Sequence, residues 1–246
     1  MEHEMHAVEV KDLTFSYTGG ECILRDISFS VPTGEIFVIG GSSGSGKSTL
    51  CYILSGIIPN SIKGEISGKV AVMDIDPGEA GLPQAALRVG MVFQDADSQI
   101  ICTTVEDELA FGMENLCIPR EEIRCRVDEL IDEFGLRGLE TTNPSHLSGG
   151  QKKLLTIASV LAFSPPVLVL DEPMSGLDSE SRILVQTAIK QQRDNGLAVI
   201  IVEHDLKLVT YADRWLILRG DGAATIGTPS EILKNDSLLV ELGVWD

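Results

Sequence analysis

At 246 residues the chain is long enough for one large domain or two small ones, and its 43% hydrophobic content suffices for a packed core. Its 37 acidic residues against 19 basic ones give a net charge of −18, which argues against a nucleic-acid partner, because such binding needs a basic face. The five cysteines are odd in number and irregular in spacing, without a Cys-x-x-Cys, so neither a disulfide frame nor a zinc site is expected and a reducing cytoplasm fits.

The segment from Met1 to His6 lacks the basic and apolar parts of a signal peptide. No apolar run approaches the roughly 20 residues of a membrane helix, so membrane association is expected only through a partner.

In chain order, Val8–Tyr17 and Ile27–Val31 read as strands separated by a turn at Gly19 and Gly20. Glu35–Ile39 is a short apolar strand running into a glycine-rich loop, and Lys47–Ser55 is a helix stopped by Gly56. Glu65–Met73 and Val89–Phe93 are further strands. The character then changes. Thr103 and Glu106 have capping-box spacing and open a helix to about Asn115. Pro119 suits a first helical position, and Ile123, Val127, Leu130, Ile131 and Phe134 form one apolar stripe.

Ser148 and Gln151 form a second capping box before a helix dense in apolar residues, which should be buried. After Pro165 and Pro166 the β/α alternation returns: strand Val167–Leu170, helix from about Ser179 to Arg193, strand Ala198–Val202, strand Trp215–Leu218 and short helix Pro229–Lys234. The pattern is a parallel α/β core (residues 1–94 and 165–246) interrupted by a helical insertion over 95–164.

The chemistry begins at Gly41, Ser42, Ser43, Gly44, Ser45, Gly46, Lys47, Ser48 and Thr49. Gly-x-x-x-x-Gly-Lys-Ser between an apolar strand and a helix is a phosphate loop. Its glycines let backbone N–H groups approach phosphate oxygens, and the helix N-terminus adds a positive dipole end. Lys47 is placed to neutralise β- and γ-phosphate charge, and Ser48 to offer its hydroxyl to Mg²⁺.

Asp171 and Glu172 end the apolar strand Val167–Leu170. Asp171 suits Mg²⁺ through water, and Glu172, facing the other way, suits the attacking water. His204 follows strand Ala198–Val202 and Gln94 follows Val89–Phe93. Strand ends of an open parallel sheet face its ligand crevice, so both could reach the γ-phosphate.

Ser148, Gly149 and Gly150 offer a hydroxyl, bare N–H groups and a helix dipole, which make either a plain helix cap or a second anion site. Asp95 to His146 holds 13 acidic and 4 basic residues, a net of −9. That segment reads as a solvated helical face, or as a docking surface for something basic in which Asp97 stands beside Gln94.

Leu147-Ser148-Gly149-Gly150-Gln151, in this order with the phosphate loop and Asp171-Glu172, resembles the signature of ATP-binding-cassette (ABC) ATPases. The resemblance spans nearly the whole chain. It implies a P-loop NTPase with a RecA-like core, a small antiparallel β part and an inserted helical subdomain, and two ATPs sandwiched head-to-tail between two subunits. It further implies that Tyr17 stacks on adenine and that Gln94 touches Mg²⁺ and the transmembrane partner. Ser148, Gly149, Gly150 and Gln151 would close on the other subunit's γ-phosphate, Asp171 and Glu172 are the Walker B aspartate and catalytic glutamate, Asp178 lies in the D-loop, and His204 is the switch histidine.

The run from Val92 to Gly112, Thr228–Leu233, and Leu239 with Gly243 are similar to the A component of energy-coupling-factor importers for vitamins or transition-metal ions. The chain departs from that group at Asp95-Ala96 (usually Asn-Pro), at Leu154 (usually basic), and in stopping at Asp246 where many relatives continue. The resemblance implies a second ATPase subunit, itself or a paralogue, a transmembrane coupling protein and a substrate-binding membrane protein. It places the chain on the inner face of the cell membrane. The alternative is a soluble ABC ATPase of the iron–sulfur cluster assembly kind. A small-molecule kinase would share the phosphate loop but gives no reason for Leu147–Gln151.

Overall fold

A computed structural model describes residues 6–235; the similarity at Leu239 and Gly243 lies outside the described residues. The first hairpin is β1 (His6–Tyr17) and β2 (Cys22–Pro32), so the second strand starts five residues earlier than its apolar run suggests. Next come β3 (Ile36–Gly41), α1 (Lys47–Leu54), α2 (Ile57–Asn60), β4 (Gly64–Val72), α3 (Pro77–Ala80), α4 (Leu82–Ala86) and β5 (Val89–Val92). Between β5 and the next strand lie α5 (Val105–Asn115), α6 (Arg120–Glu133), a 3-10 turn and α7 (Gly149–Leu161). The chain then runs through β6 (Val167–Asp171), α8 (Ser179–Asp194), β7 (Ala198–Val202), a 3-10 turn at Leu206–Val209, β8 (Arg214–Leu218), β9 (Ala224–Gly227) and α9 (Pro229–Ile232).

Two sheets result. The antiparallel one has the order β2-β1-β4, and the larger one β5-β6-β7-β3-β8-β9, parallel except for β9. Among the described residues no helix is long and apolar enough to cross a membrane.

The central strands read as continuous apolar runs because both faces of the large sheet are covered. Ile36, Val38, Leu168, Leu170, Val199 and Ile201 face a core shared with α5, α6, α7 and α8. Their neighbours Phe37, Ile39, Val167, Val169, Ala198 and Ile200 face a second core shared with α1 and the antiparallel sheet. Phe29 of β2 stacks on Phe37 of β3 at 5.2 Å and joins the two sheets.

Two local expectations shift. The cap of α5 is Thr104, whose side chain accepts from the amide of Asp107, not Thr103 with Glu106. In that frame the amides of Val105 and Glu106 are taken by the carbonyls of Thr142 and Glu140, which leaves the Asp107 amide for the side-chain cap. Pro119 is the extended residue before α6, with ψ 138, and not its first helical one. β9 and the short helices α2, α3 and α4 carry too little periodicity to stand out in the sequence.

The height of α7 over the sheet is set at Gly90. A Cβ there would lie 2.4 Å from Cγ1 of Val160 and 2.9 Å from Cγ of Pro165. Gly90→Ala is therefore expected to destabilise the fold by about 1–3 kcal/mol through overpacking, read as a lower urea midpoint at unchanged slope.

Candidate functional site

A cavity of about 960 Å³ opens where β3 gives way to α1, and Tyr17, residues 41–44 and 46–49, Glu172 and His204 line it. Gly41 must be glycine: its φ is 144, and a Cβ would stand 2.4 Å from the carbonyl oxygen of Leu218. Gly46 is the left-handed N-cap of α1 (φ 99), where a Cβ would meet Ile23 and Leu24 at 2.9 Å. The ammonium of Lys47 donates to the carbonyls of Gly41 and Ser42, each at 2.8 Å, and burial lowers its pKa against the opposing charges of Glu172 and Asp171. Ser45 turns inward, its hydroxyl buried and without a partner. The Tyr17 and Thr49 hydroxyls are hydrogen-bonded at 2.9 Å, which fixes the ring at the cavity wall.

Asp171 and Glu172 point to different partners. The hydroxyl of Ser48 donates to Asp171 at 3.2 Å, and burial pushes the Asp171 carboxyl up. Glu172 sits in the left-handed region (φ 45), a conformation costing roughly 1–3 kcal/mol that is found where a site needs it. Its Oε2 accepts from Nε2 of Gln94 at 2.7 Å, and its Oε1 lies 3.6 Å from Nδ1 of His204. The ends of β5, β6 and β7 thus bring Gln94, Glu172 and His204 together. Asp205, next to His204, caps the following 3-10 turn.

Ser148, Gly149, Gly150 and Gln151 are not among the described residues that line this cavity. Ser148 and Gln151 form the reciprocal capping box at the start of α7. Asp178 caps α8 by accepting from the amide of Ser181, which holds its carboxyl below the usual range. The two helix starts touch: a Cβ on Gly150 would lie 2.5 Å from the Ser181 hydroxyl.

Two site residues are missed by sequence reasoning. Lys153 is 3% exposed, and its ammonium donates to the carbonyls of Phe93 (3.3 Å) and Gln94 (2.9 Å). Its neighbour Lys152 pairs with Asp97 at 2.6 Å, so part of the acidity next to Gln94 is neutralised within the chain. The only available signal was a charge inside a helix that should be buried. The second residue is Glu203, fully buried after β7, with both carboxylate oxygens unpartnered.

The ABC transporter family matches residues 24–175. The chain belongs to this family and is an ABC-type ATPase that binds ATP. It is 39% identical over 232 residues to the energy-coupling factor transporter ATP-binding protein EcfA of Methanocaldococcus jannaschii, covering 94% of this chain and 82% of that one. It is 38% identical to EcfA1 of Oceanobacillus iheyensis, covering 96% and 84%. Among solved structures, cbiO1 of Clostridium perfringens, part of the ABC transporter complex cbiONQ, superimposes with a TM-score of 0.85 at 31% identity, covering 98% of this chain and 96% of that one.

Burial pushes the Glu203 carboxyl up to about 7 from its ordinary value of 4.5. The native state then binds more protons than the unfolded chain between those values. Stability is therefore expected to fall as pH rises from about 4.5 to about 7, by on the order of 3 kcal/mol. Glu203→Gln should flatten that stretch of the stability–pH curve, as measured by urea unfolding at stepped pH.

Proposed function

We propose that this chain is the ATP-hydrolysing motor subunit of an energy-coupling-factor-type importer. Two copies, or one copy and a paralogue, close on two ATPs and drive a transmembrane coupling protein that works with a substrate-binding membrane protein. The chain sits peripherally on the inner face of the membrane through that partner. The names of its relatives support the transporter class. The observation that carries the shared site is the exposed, glycine-bearing, capped start of α7, which stands outside the cavity formed by the same chain's phosphate loop. A glycine-bearing helix N-terminus of that kind suits an anion held by a second copy. In this reading residues 95–164 are a helical subdomain carrying the signature, and 1–94 with 165–246 are the core.

Tyr17 stacks on the adenine, and residues 41–49 take the phosphates. Lys47 exchanges its bonds to Gly41 and Ser42 for phosphate oxygens. The oxygens of Ser48 and Asp171, 3.2 Å apart, are hard donors fitting Mg²⁺, with Gln94 completing the set. Bound there, Mg²⁺ would offset phosphate charge. Glu172 orients the attacking water and accepts its proton at the carboxylate, while Gln94 and His204 stand on either side of that carboxylate. Asp178 sets the start of α8 against the start of α7, next to the other subunit's nucleotide.

Glu172→Gln is expected to keep ATP affinity, to lose at least about 100-fold in turnover, and to hold two subunits together when sized with ATP and Mg²⁺. Near-wild-type ATPase rates would overturn the assignment. Ser148→Arg should leave ATP binding by the isolated subunit intact and abolish hydrolysis, since a bulky cation fills the surface that meets the second copy; wild-type hydrolysis would refute the shared site.

A further inference from the structure

Residues 93–99, which carry Gln94 past the end of β5, are bonded mostly to themselves. Gln99 accepts from the Phe93 amide at 3.1 Å and donates to the Met91 carbonyl at 3.0 Å. Asp95 accepts from the Asp97 amide and the Ser98 hydroxyl, and the Ala96 carbonyl accepts from the amides of Gln99 and Ile100. Among the described residues, the side-chain hydrogen bonds that leave this loop and β5 are those of Lys152 to Asp97, of Lys153 to the carbonyls of Phe93 and Gln94, and of Gln94 to Glu172. Asp97 and Gln94 are exposed, whereas Lys153 is 3% exposed and makes its attachment in the interior.

Successive carbonyls of an extended strand point to opposite sides. Those of Phe93 and Gln94 both meet one ammonium, at 3.3 and 2.9 Å. Lys153 thus holds the bend at which the chain leaves β5. Charged donors make the stronger hydrogen bonds, and an aliphatic side chain in their place would leave both carbonyls without that partner. From the same bend, Nε2 of Gln94 donates to Oε2 of Glu172 at 2.7 Å. The Gln94 side chain is long, rotatable and exposed, so it keeps that geometry only from a fixed backbone. Lys153 itself lies in the opening turns of α7, just past the capped residues Ser148 and Gln151.

We propose that Lys153 is a positioning residue for ATP hydrolysis: from the signature helix it fixes the backbone of the Gln94 loop, and through the Gln94 amide it sets the orientation of the Glu172 carboxylate. The ammonium touches neither nucleotide nor water and transfers no proton. Its effect is carried by two hydrogen-bonded steps, Lys153 to the Gln94 carbonyl and the Gln94 side chain to Glu172. One helix then bears both the surface offered to the second copy and the brace of the water-orienting carboxylate.

The inference rests on the proposed roles of Gln94 and Glu172. Its test is a double-mutant cycle on the full-length protein. Lys153→Met keeps the aliphatic stem and removes the donors. It should lower kcat roughly tenfold or more while the Kd for ATP stays within about threefold, by analogy with losing the outer partner of a liganding side chain. Lys153→Arg keeps donors for the carbonyls and should recover most of that loss. Gln94→Ala should lower kcat by a similar factor. Adding Lys153→Met to it should change kcat by less than about twofold, because the group through which Lys153 acts is already gone. The urea midpoint should fall equally in both backgrounds, since the same carbonyl bonds are lost in each.

A merely structural Lys153 would cost kcat the same factor with and without the Gln94 side chain. That outcome overturns the proposal, as does wild-type kcat in Lys153→Met or in Gln94→Ala. Should Lys153→Met fail to fold, Lys153→Gln takes its place in the cycle. Its amide is shorter and uncharged, so a loss of at least about threefold is expected in the wild-type background and none in Gln94→Ala; any other pattern refutes the proposal. Glu172→Gln reads the underlying assignment separately. If it keeps wild-type turnover, the reading of Glu172 fails; if it loses turnover while Lys153→Met does not, only the role of Lys153 falls.

Discussion

The site depends on where the central strand is allowed to end. β3 is buried on both faces and hydrogen-bonded to β7 on one side and β8 on the other, so its backbone can leave the sheet only past Gly41, beneath the carbonyl of Leu218. That exit fixes where the phosphate loop starts. The parallel register does the rest. Ile39 lies opposite Val202, and Val202 opposite Asp171, so the ends of β3, β6 and β7 arrive level with one another. A slip of β6 by one residue would exchange the faces of Asp171 and Glu172 and send the Glu172 carboxylate toward Ser48.

At that sheet edge three carboxyl groups and two ammonium groups are held out of bulk solvent: Asp171, Glu172, Glu203, Lys47 and Lys153. Burial acts against the charge on four of them, raising Asp171 and Glu203 and lowering Lys47 and Lys153. Each lysine is satisfied by backbone carbonyls instead of by a carboxylate. The carboxylates thus stay out of tight ion pairs, while the ammonium groups brace the two loops that frame them.

What the sequence made legible was local. The phosphate loop, Asp171-Glu172 and the capped Ser148–Gln151 each lie within a few residues, and each needs only a strand or helix of the right kind beside it. The choice between Thr103 and Thr104 as the cap of α5 was not local, because it is settled by carbonyls of Thr142 and Glu140 arriving from another segment. Glu203 and Lys153 were hidden for the same reason. Glu203 sits in a run with His204 and Asp205 that reads as a solvated strand end, and only the packing of β7 beneath the 3-10 turn excludes water from it. Lys153 follows another lysine in a helix, and the fold alone decides that one points to Asp97 and the other to the Gln94 backbone.

Those two lysines differ in how they answer to ions in solution. Asp97 is 69% exposed, so its pair with Lys152 weakens as the Debye length shrinks below the roughly 8 Å of physiological salt. The Lys153 bonds lie behind the helix, where counterions do not reach. Rising ionic strength therefore frees one of two adjacent tethers and spares the other. The start of α7 keeps its distance from the Gln94 loop but gains lateral play, so ionic strength sets how freely that helix start slides along the loop that holds Glu172.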